Sequence, residues 1–311
     1  MRIIIAGASG LIGRALTEHL TARGHYVCAL SRYPEKMKRK VPESEQRIWR
    51  RWRADDIEDW QSELENCDVV INLMGAPVLG GRWTKKRKEI LYRSRVDTGK
   101  ILSAAVVKYR PELKVFLQAS AIGYYDIAQP QPVDEQGRAG DSFLARLTRE
   151  WERSVDGLED ENIPVYRLRL GMVLSRESLV VRLMRPAFLM FKGGPVGSGR
   201  QMVSWIHIDD VRAIVDYLIA RPQDGCVVNL TAPESVTMKA FARAFGQAIK
   251  RPSWLKIPAF VLKGLMGEMA GETMLSGIAV YPRKLLDMGY RFQYRQIEAA
   301  FGNILSPENS G

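Results

Sequence analysis

Three glycines near the start of the chain constrain its fold more than any other feature. Gly7-Ala8-Ser9-Gly10-Leu11-Ile12-Gly13 follows the β-branched run Arg2–Ala6 without a spacer. A helical pattern starts inside it, with Leu11, Ile12, Ala15, Leu16 and Leu20 on one face and Gly24 as its stop. A short, wholly apolar run is the mark of a strand buried on both faces, as in a parallel sheet. A strand that turns into a helix through glycines at this spacing is half of a βαβ unit. Further strands are expected over residues 26–30, 48–54, 67–73, 114–119, 165–170 and 227–230, with helices over 84–110, 141–160 and 209–221. This alternation predicts an α/β protein with a Rossmann-type doubly wound parallel sheet. The third strand mixes Arg with Trp and reads as a solvated edge.

The 311 residues are enough for one large α/β unit or two domains. Residues 176–204 and 233–311 are less regular, rich in Met, Phe, Gly and Pro, and are expected to form a small substrate or cap domain. Residues 1–175 and 205–232 are then the nucleotide-binding domain. A hydrophobic share of 46% excludes a disordered chain, and the lack of repeats or clustered cysteines excludes a collagen, a coiled coil or a disulfide scaffold. No run approaches 18 apolar residues, so no membrane span is expected. Cys28, Cys67 and Cys226 are far apart and have no metal-ligand spacing; they read as thiols of a reducing compartment. With a strand beginning at residue 2 there is no room for a targeting segment, and a cytoplasmic location is the expectation.

The glycine turn carries chemistry as well as shape. The first Gly permits the tight turn, the second lets backbone approach a pyrophosphate at the helix N-terminus, and the third allows helix to pack closely on strand. The end of the second strand then selects the nucleotide. An NAD site usually has an acid there for the ribose hydroxyls, whereas this chain reads Leu30-Ser31-Arg32. A carboxylate repels a 2′-phosphate, while Arg and a Ser hydroxyl bind one, so NADP(H) is the expected cofactor.

Beyond the turn, a series of short motifs occurs in order: Asn72-Leu73-x-Gly75, Arg82-Trp83-Thr84, Ser94-Arg95, Ser120-Ala121-x-Gly123-Tyr124-Tyr125, Trp151-Glu152, Leu168-Arg169-x-Gly171, Gly197-Ser198-Gly199-Arg200-Gln201 and Ser204-Trp205-Ile206-His207. In this order they resemble the atypical short-chain dehydrogenase/reductases of the "epimerase family", the NAD-dependent epimerase/dehydratase-like proteins. The resemblance spans Arg2 to about Phe301. It implies a cofactor-contacting set of Gly7, Ser9, Gly10, Leu11, Ile12, Gly13, Ser31, Arg32, Leu73, Met74, Gly75, Arg95, Ala119 and Met172. It also implies hydride transfer with a small carbonyl or alcohol, Ser120 orienting the substrate oxygen. Relatives that bind sugar nucleotides hold the diphosphate with an Arg near the position of Val203; here only Arg200 is near enough to substitute.

Ordinary members of that superfamily place a Tyr and a Lys as Y-x-x-x-K, the Lys lowering the pKa of the Tyr. Anchored on Glu152, those positions are Leu144 and Thr148 in this chain, and Arg95 stands in place of an upstream Asn. The standard proton relay is therefore missing. Tyr124 or Tyr125, with a phenol lowered by Arg95, is the expected substitute donor alongside Ser120. The alternative is a non-catalytic NADPH sensor that presents a surface to a protein partner. No metal site is expected.

The formal charge of +11 is local. From Arg32 to Arg53 there are nine basic and three acidic residues, and from Arg82 to Arg95 seven and one, so the remainder is near neutral. Trp49 and Trp52 among the arginines of the first segment admit base stacking, but such a pattern is more often an amphipathic edge strand with snorkelling side chains, and nucleic acid is not the expected partner. Lys85, Lys86 and Lys88 oppose the dipole at the start of a helix, which points to an anion or partner nearby. His207 reads as structural, with Asp209 capping the helix that follows.

Overall fold

The computed structural model describes residues 1–306 except 55, 57, 80, 223 and 224; residues 307–311 of the C-terminal segment lie outside the described residues. The chain runs β1 (Arg2–Ala6), α1 (Leu11–Ala22), β2 (Tyr26–Ser31), α2 (Pro34–Lys40), β3 (Arg47–Arg51), α3 (Glu58–Glu65), β4 (Val69–Asn72), α4 (Lys85–Arg93) and α5 (Val96–Tyr109). It continues through β5 (Val115–Ala121), α6 (Phe143–Arg153), α7 (Asp156–Asp160), β6 (Val165–Leu170), β7 (Met172–Leu174), α8 (Leu179–Leu189), β8 (Met202–Val203), β9 (Trp205–His207), α9 (Ile208–Ile219) and β10 (Val227–Leu230). The C-terminal part adds β11 (Val236–Thr237), α10 (Met238–Ala248), α11 (Ala259–Met266), α12 (Glu268–Ala270), α13 (Arg283–Asp287) and α14 (Ile297–Leu305).

Seven strands form one parallel sheet in the order β10-β6-β5-β4-β1-β2-β3. Alternate residues of the buried strands serve opposite faces. Ile3 and Ile5 pack with Leu16 and Leu20 of α1 and Ile214 and Leu218 of α9, while Ile4 and Ala6 meet Trp60, Leu64, Leu102 and Val106 of α3 and α5. Helices thus cover both faces, the doubly wound arrangement expected from the alternation. A third core joins α8, α10 and α14 through Phe188, Phe241, Phe245 and Phe301. Strand order reverses between β1 and β4, so the loops leaving them diverge and open a crevice beyond their C-terminal ends.

Four local expectations are corrected. The single helix over 84–110 is two, α4 and α5, broken at Ser94-Arg95, where both side chains turn back to hold the loop after β4. The helix over 141–160 divides into α6 and α7 at Ser154-Val155. The cap of α9 is His207, whose Nδ1 accepts from the Asp209 amide at 3.1 Å, and not Asp209 itself. The third strand is an edge as expected, yet its tryptophans are not solvated. Trp49 donates to the Val41 carbonyl at 2.9 Å, and Trp52 lies 5.5 Å from Trp60; both are buried and neither ring is free to stack on a base.

The close approach of α1 to β1 depends on Gly13. A Cβ there would lie 2.4 Å from the Gly7 carbonyl oxygen and 2.6 Å from Ala8 Cα, both backbone atoms that no rotamer change can move. Gly13→Ala is expected to destabilise the fold by about 1–3 kcal/mol through forced overpacking. Gly302→Ala, inside α14 with nothing near its added Cβ, is expected to stabilise by roughly 0.5–1 kcal/mol. Urea midpoints measure both, and a wild-type midpoint for Gly13→Ala contradicts the close approach.

Candidate functional site

The crevice starts at the glycine turn. Gly7 has φ +83°, the left-handed region, and a Cβ on it would meet the Leu73 carbonyl group at 2.9 Å. The N-terminus of α1 begins at Gly10, which has no side-chain cap, and the first turn contains no acid. Its amides are therefore unclaimed by side chains and face an opening that only glycines leave clear, which suits an anionic pyrophosphate. At the end of β2, Ser31 is buried and its Oγ accepts from the Tyr33 amide at 3.1 Å, leaving its hydroxyl hydrogen uncommitted to that bond. Arg32 is exposed and makes no ion pair with a described residue; its guanidinium lies 5.9 Å from the Tyr33 ring centre. At the end of β4, Leu73 N donates to Ala6 O at 2.9 Å and Met74 N to Asn72 Oδ1 at 3.1 Å, while Asn72 Nδ2 donates to Gln118 Oε1 at 2.9 Å. Strand register carries the line onward, pairing Ala6 with Asn72, Asn72 with Gln118, and Ser120 with Arg169. The expected cofactor residues thus gather along the C-terminal ends of neighbouring strands, with Arg95 reaching them from the α4–α5 break, its guanidinium packed on Gly75.

Beyond these strand ends lies a cavity of about 690 Å³. The loops after β4, β5 and β6 form one wall through Val78, Ile122, Gly123 and Met172; the C-terminal segments supply the other through Met202, Met238, Met274 and Ile278. The second basic segment holds this far wall in place. Arg82 donates to the carbonyls of Gly264 and Leu265, and Lys88 pairs with Glu268 at 2.7 Å. Glu272 accepts from the Phe143 and Leu144 amides at 3.1 and 2.9 Å, capping α6 from a distant part of the chain.

Under the cavity floor runs a buried polar chain. Ser120 Oγ donates to Glu152 Oε1 at 2.5 Å, and Arg169 grips the same carboxylate through Nε–Oε1 at 2.8 Å and Nη2–Oε2 at 2.9 Å. Arg169 Nη1 donates to the Tyr125 oxygen at 3.0 Å, and Tyr125 donates to Asn229 Oδ1 at 2.7 Å. The guanidinium also lies 3.5 Å from the centre of the Tyr124 ring. Ser120, Tyr124 and Tyr125 are therefore brought together, but around a cation that was not among the expected site residues.

Two expectations about this region change. Arg95 does not approach either phenol; it is buried against Gly75 and Trp151 and donates to the carbonyls of Leu91 and Ala76 at 3.2 and 3.0 Å. Burial among carbonyls, with Arg87 nearby, lowers its pKa to about 10 and leaves it cationic. The phenol of Tyr125 is not lowered: burial outweighs Arg169 and pushes it up to about 12. Leu144 lines the cavity and Thr148 is buried, so no ionisable side chain replaces the missing Tyr and Lys at their own positions. Among the described residues no cluster of three His, Cys, Asp or Glu is placed to bind a metal.

Glu152 and Arg169 are the site residues that the sequence reading passed over as mere motif members. Both are buried, at 7% and 3% exposure. Glu152→Ala leaves the guanidinium unpaired, and a loss of about 3–5 kcal/mol is expected. The double change Glu152→Met with Arg169→Leu is expected to recover most of it, because a well-packed apolar pair carries no stranded charge. Equal midpoints for Glu152→Ala and wild type contradict the buried pair.

Comparison with known proteins agrees with this geometry. The model of the NAD dependent epimerase/dehydratase family matches residues 3–230, and a domain of unknown function, DUF1731, matches 257–304. An epimerase family protein of Mycobacterium bovis is 35% identical over 300 residues, covering 96% of each chain. The crystal structure of human epimerase family protein SDR39U1 (isoform 2) with NADPH superposes with a TM-score of 0.84 at 30% identity, covering 99% of this chain and 100% of that one. UDP-glucuronic acid 4-epimerase from Bacillus cereus, in complex with NAD, has a TM-score of 0.78 at 16% identity over 98% and 97% of the two chains, a likeness of fold. The chain belongs to the NAD dependent epimerase/dehydratase family.

Proposed function

We propose that the protein binds NADP(H) in the crevice and transfers hydride between the nicotinamide and a carbonyl or alcohol in the adjoining cavity. The observation that carries the cofactor choice is the end of β2, where an exposed Arg32 without an ion-pair partner among the described residues follows Ser31 and no acid stands. The uncapped glycine turn would take the pyrophosphate, and Ser31 with Arg32 the 2′-phosphate. Leu73, Met74, Gly75, Ala119 and Met172 would form the walls against the nicotinamide half. The human relative solved with NADPH supports this assignment. We take residues 1–175 and 205–232 as the cofactor-binding part and 176–204 and 233–311 as the substrate wall. Three free cysteines, with the buried Cys67 thiol pushed up to about 12 by desolvation, fit a reducing cytoplasmic setting.

When bound, NADPH supplies the hydride. The chain's own residues hold the carbonyl and provide the proton. Tyr125 lines the cavity and belongs to the buried chain, which makes it the favoured donor over Tyr124, with Arg169, Glu152 and Ser120 holding it in place. A second reading is favoured by one observation: the hydroxyls of Ser120 and Tyr125 are both already donated within the protein, to Glu152 and Asn229. In that reading the protein senses NADPH and acts through a protein partner without turnover.

NADPH is expected to bind at least about tenfold more tightly than NADH, a difference of ~1.4 kcal/mol. Arg32→Ala is expected to remove most of that preference; calorimetric titration measures both, and equal affinities in the wild type contradict the NADP assignment. Reduction needs the protonated phenol. With Tyr125 pushed up to about 12, that form persists as pH rises, so the rate of carbonyl reduction is expected to stay level from pH 6 to about 10. A fall centred near pH 8 contradicts Tyr125 as donor, and tight NADPH binding without turnover of any carbonyl favours the sensor.

A further inference from the structure

The cavity differs in chemistry from a site built for sugar nucleotides. No Lys, Arg or His occurs among the described residues that line it. A diphosphate bound away from water needs such cations or a helix N-terminus, and the N-terminus of α6 at this cavity is already capped by Glu272. Arg200, the sequence's one substitute, is exposed and lies outside the lining.

The polar side chains that do line the cavity are engaged by the protein itself. Gln201 Nε2 donates to the carbonyls of Val196 and Met274, and Ser204 Oγ bridges Ile278 O and Val280 N. Thr273 and Ser276 donate to the carbonyls of Met269 and Glu272. A sugar ring would thus bury several hydroxyls against groups that already have partners, each at a desolvation cost. The acids are engaged too: Asp126 lies 3.5 Å from Arg138, Asp141 lies 3.8 Å from Arg149, and Glu272 accepts from the Phe143 and Leu144 amides. Each of the three carboxylates thus already has a partner within the protein. What remains open is apolar surface, from Val78, Leu144, Leu179, Met202, Met238 and Met274, and flexible thioethers adapt to varied apolar shapes.

We infer that this cavity takes an uncharged, predominantly apolar carbonyl compound and excludes sugar nucleotides and other anions. The inference rests on the reading of the neighbouring crevice as an NADP(H) site, and it names the substrate class for that reading.

Matched probes test it on the full-length protein loaded with NADPH. Decan-2-one, decanoate and UDP-glucose are titrated separately by calorimetry, with NADPH titrated into the same preparation first. Decan-2-one is expected to bind, octan-2-one more weakly by about fourfold per methylene removed, and decanoate and UDP-glucose at least tenfold more weakly than decan-2-one. Leu179→Lys, at a half-exposed position that can accept the change without disturbing the core, is expected to weaken decan-2-one and strengthen decanoate while NADPH affinity holds. Failure of NADPH to bind overturns the cofactor reading. NADPH binding together with a preference for UDP-glucose, equal binding of ketone and carboxylate, or no ketone binding overturns the cavity inference alone.

Discussion

The crevice exists because backbone passes backbone at Gly7 and Gly13 with no room for a side chain. At Gly7 the chain takes a left-handed turn against the carbonyl of Leu73; at Gly13, α1 rests on the Gly7 carbonyl. This approach aims the uncapped amides of α1 at the place where β1 and β4 part. Everything proposed for the cofactor follows from that placement, since the 2′-phosphate residues on β2 and the walls on β4 to β6 are positioned by strand register from β1.

A second constraint is the buried pair of Glu152 and Arg169. A charge on a buried strand is tolerated only with a partner, and β6 carries two, Arg167 and Arg169, on one face. The helical stretch before it answers with acids one turn apart: Glu152 for Arg169, and Asp156 and Glu159 for Arg167 at 2.6 and 2.7 Å. This pairing occupies Ser120 and orients Tyr125. The charges under the cavity floor are therefore paired, and the space above it is mostly apolar.

Much of this was legible in the sequence, and the parts that were not share a cause. The glycine turn, the sheet strands and the missing acid at the end of β2 are local patterns, set by turn geometry and by strand burial. The break at Ser94-Arg95 was invisible because the apolar spacing continues across it; its tertiary partner is Ala76, brought near by the fold, whose amide and carbonyl bond Ser94 and Arg95. The motif position and charge of Arg95 do not say which partner it meets, because that depends on the path of the loop after β4. The spacing of Glu152, Asp156 and Glu159 before Arg167-x-Arg169 was a readable signal for the buried pairs. Part of the charge of +11 gains a role: Arg82 and Lys88 hold the far wall, and Arg32 is exposed at the end of β2.

The most direct test is a crystal structure of the protein grown with NADPH. The account expects the pyrophosphate on the amides at the start of α1, the 2′-phosphate within about 3 Å of the Arg32 guanidinium, and the nicotinamide facing the apolar cavity. A dinucleotide bound elsewhere, or one whose 2′-phosphate is turned away from Ser31 and Arg32, contradicts it.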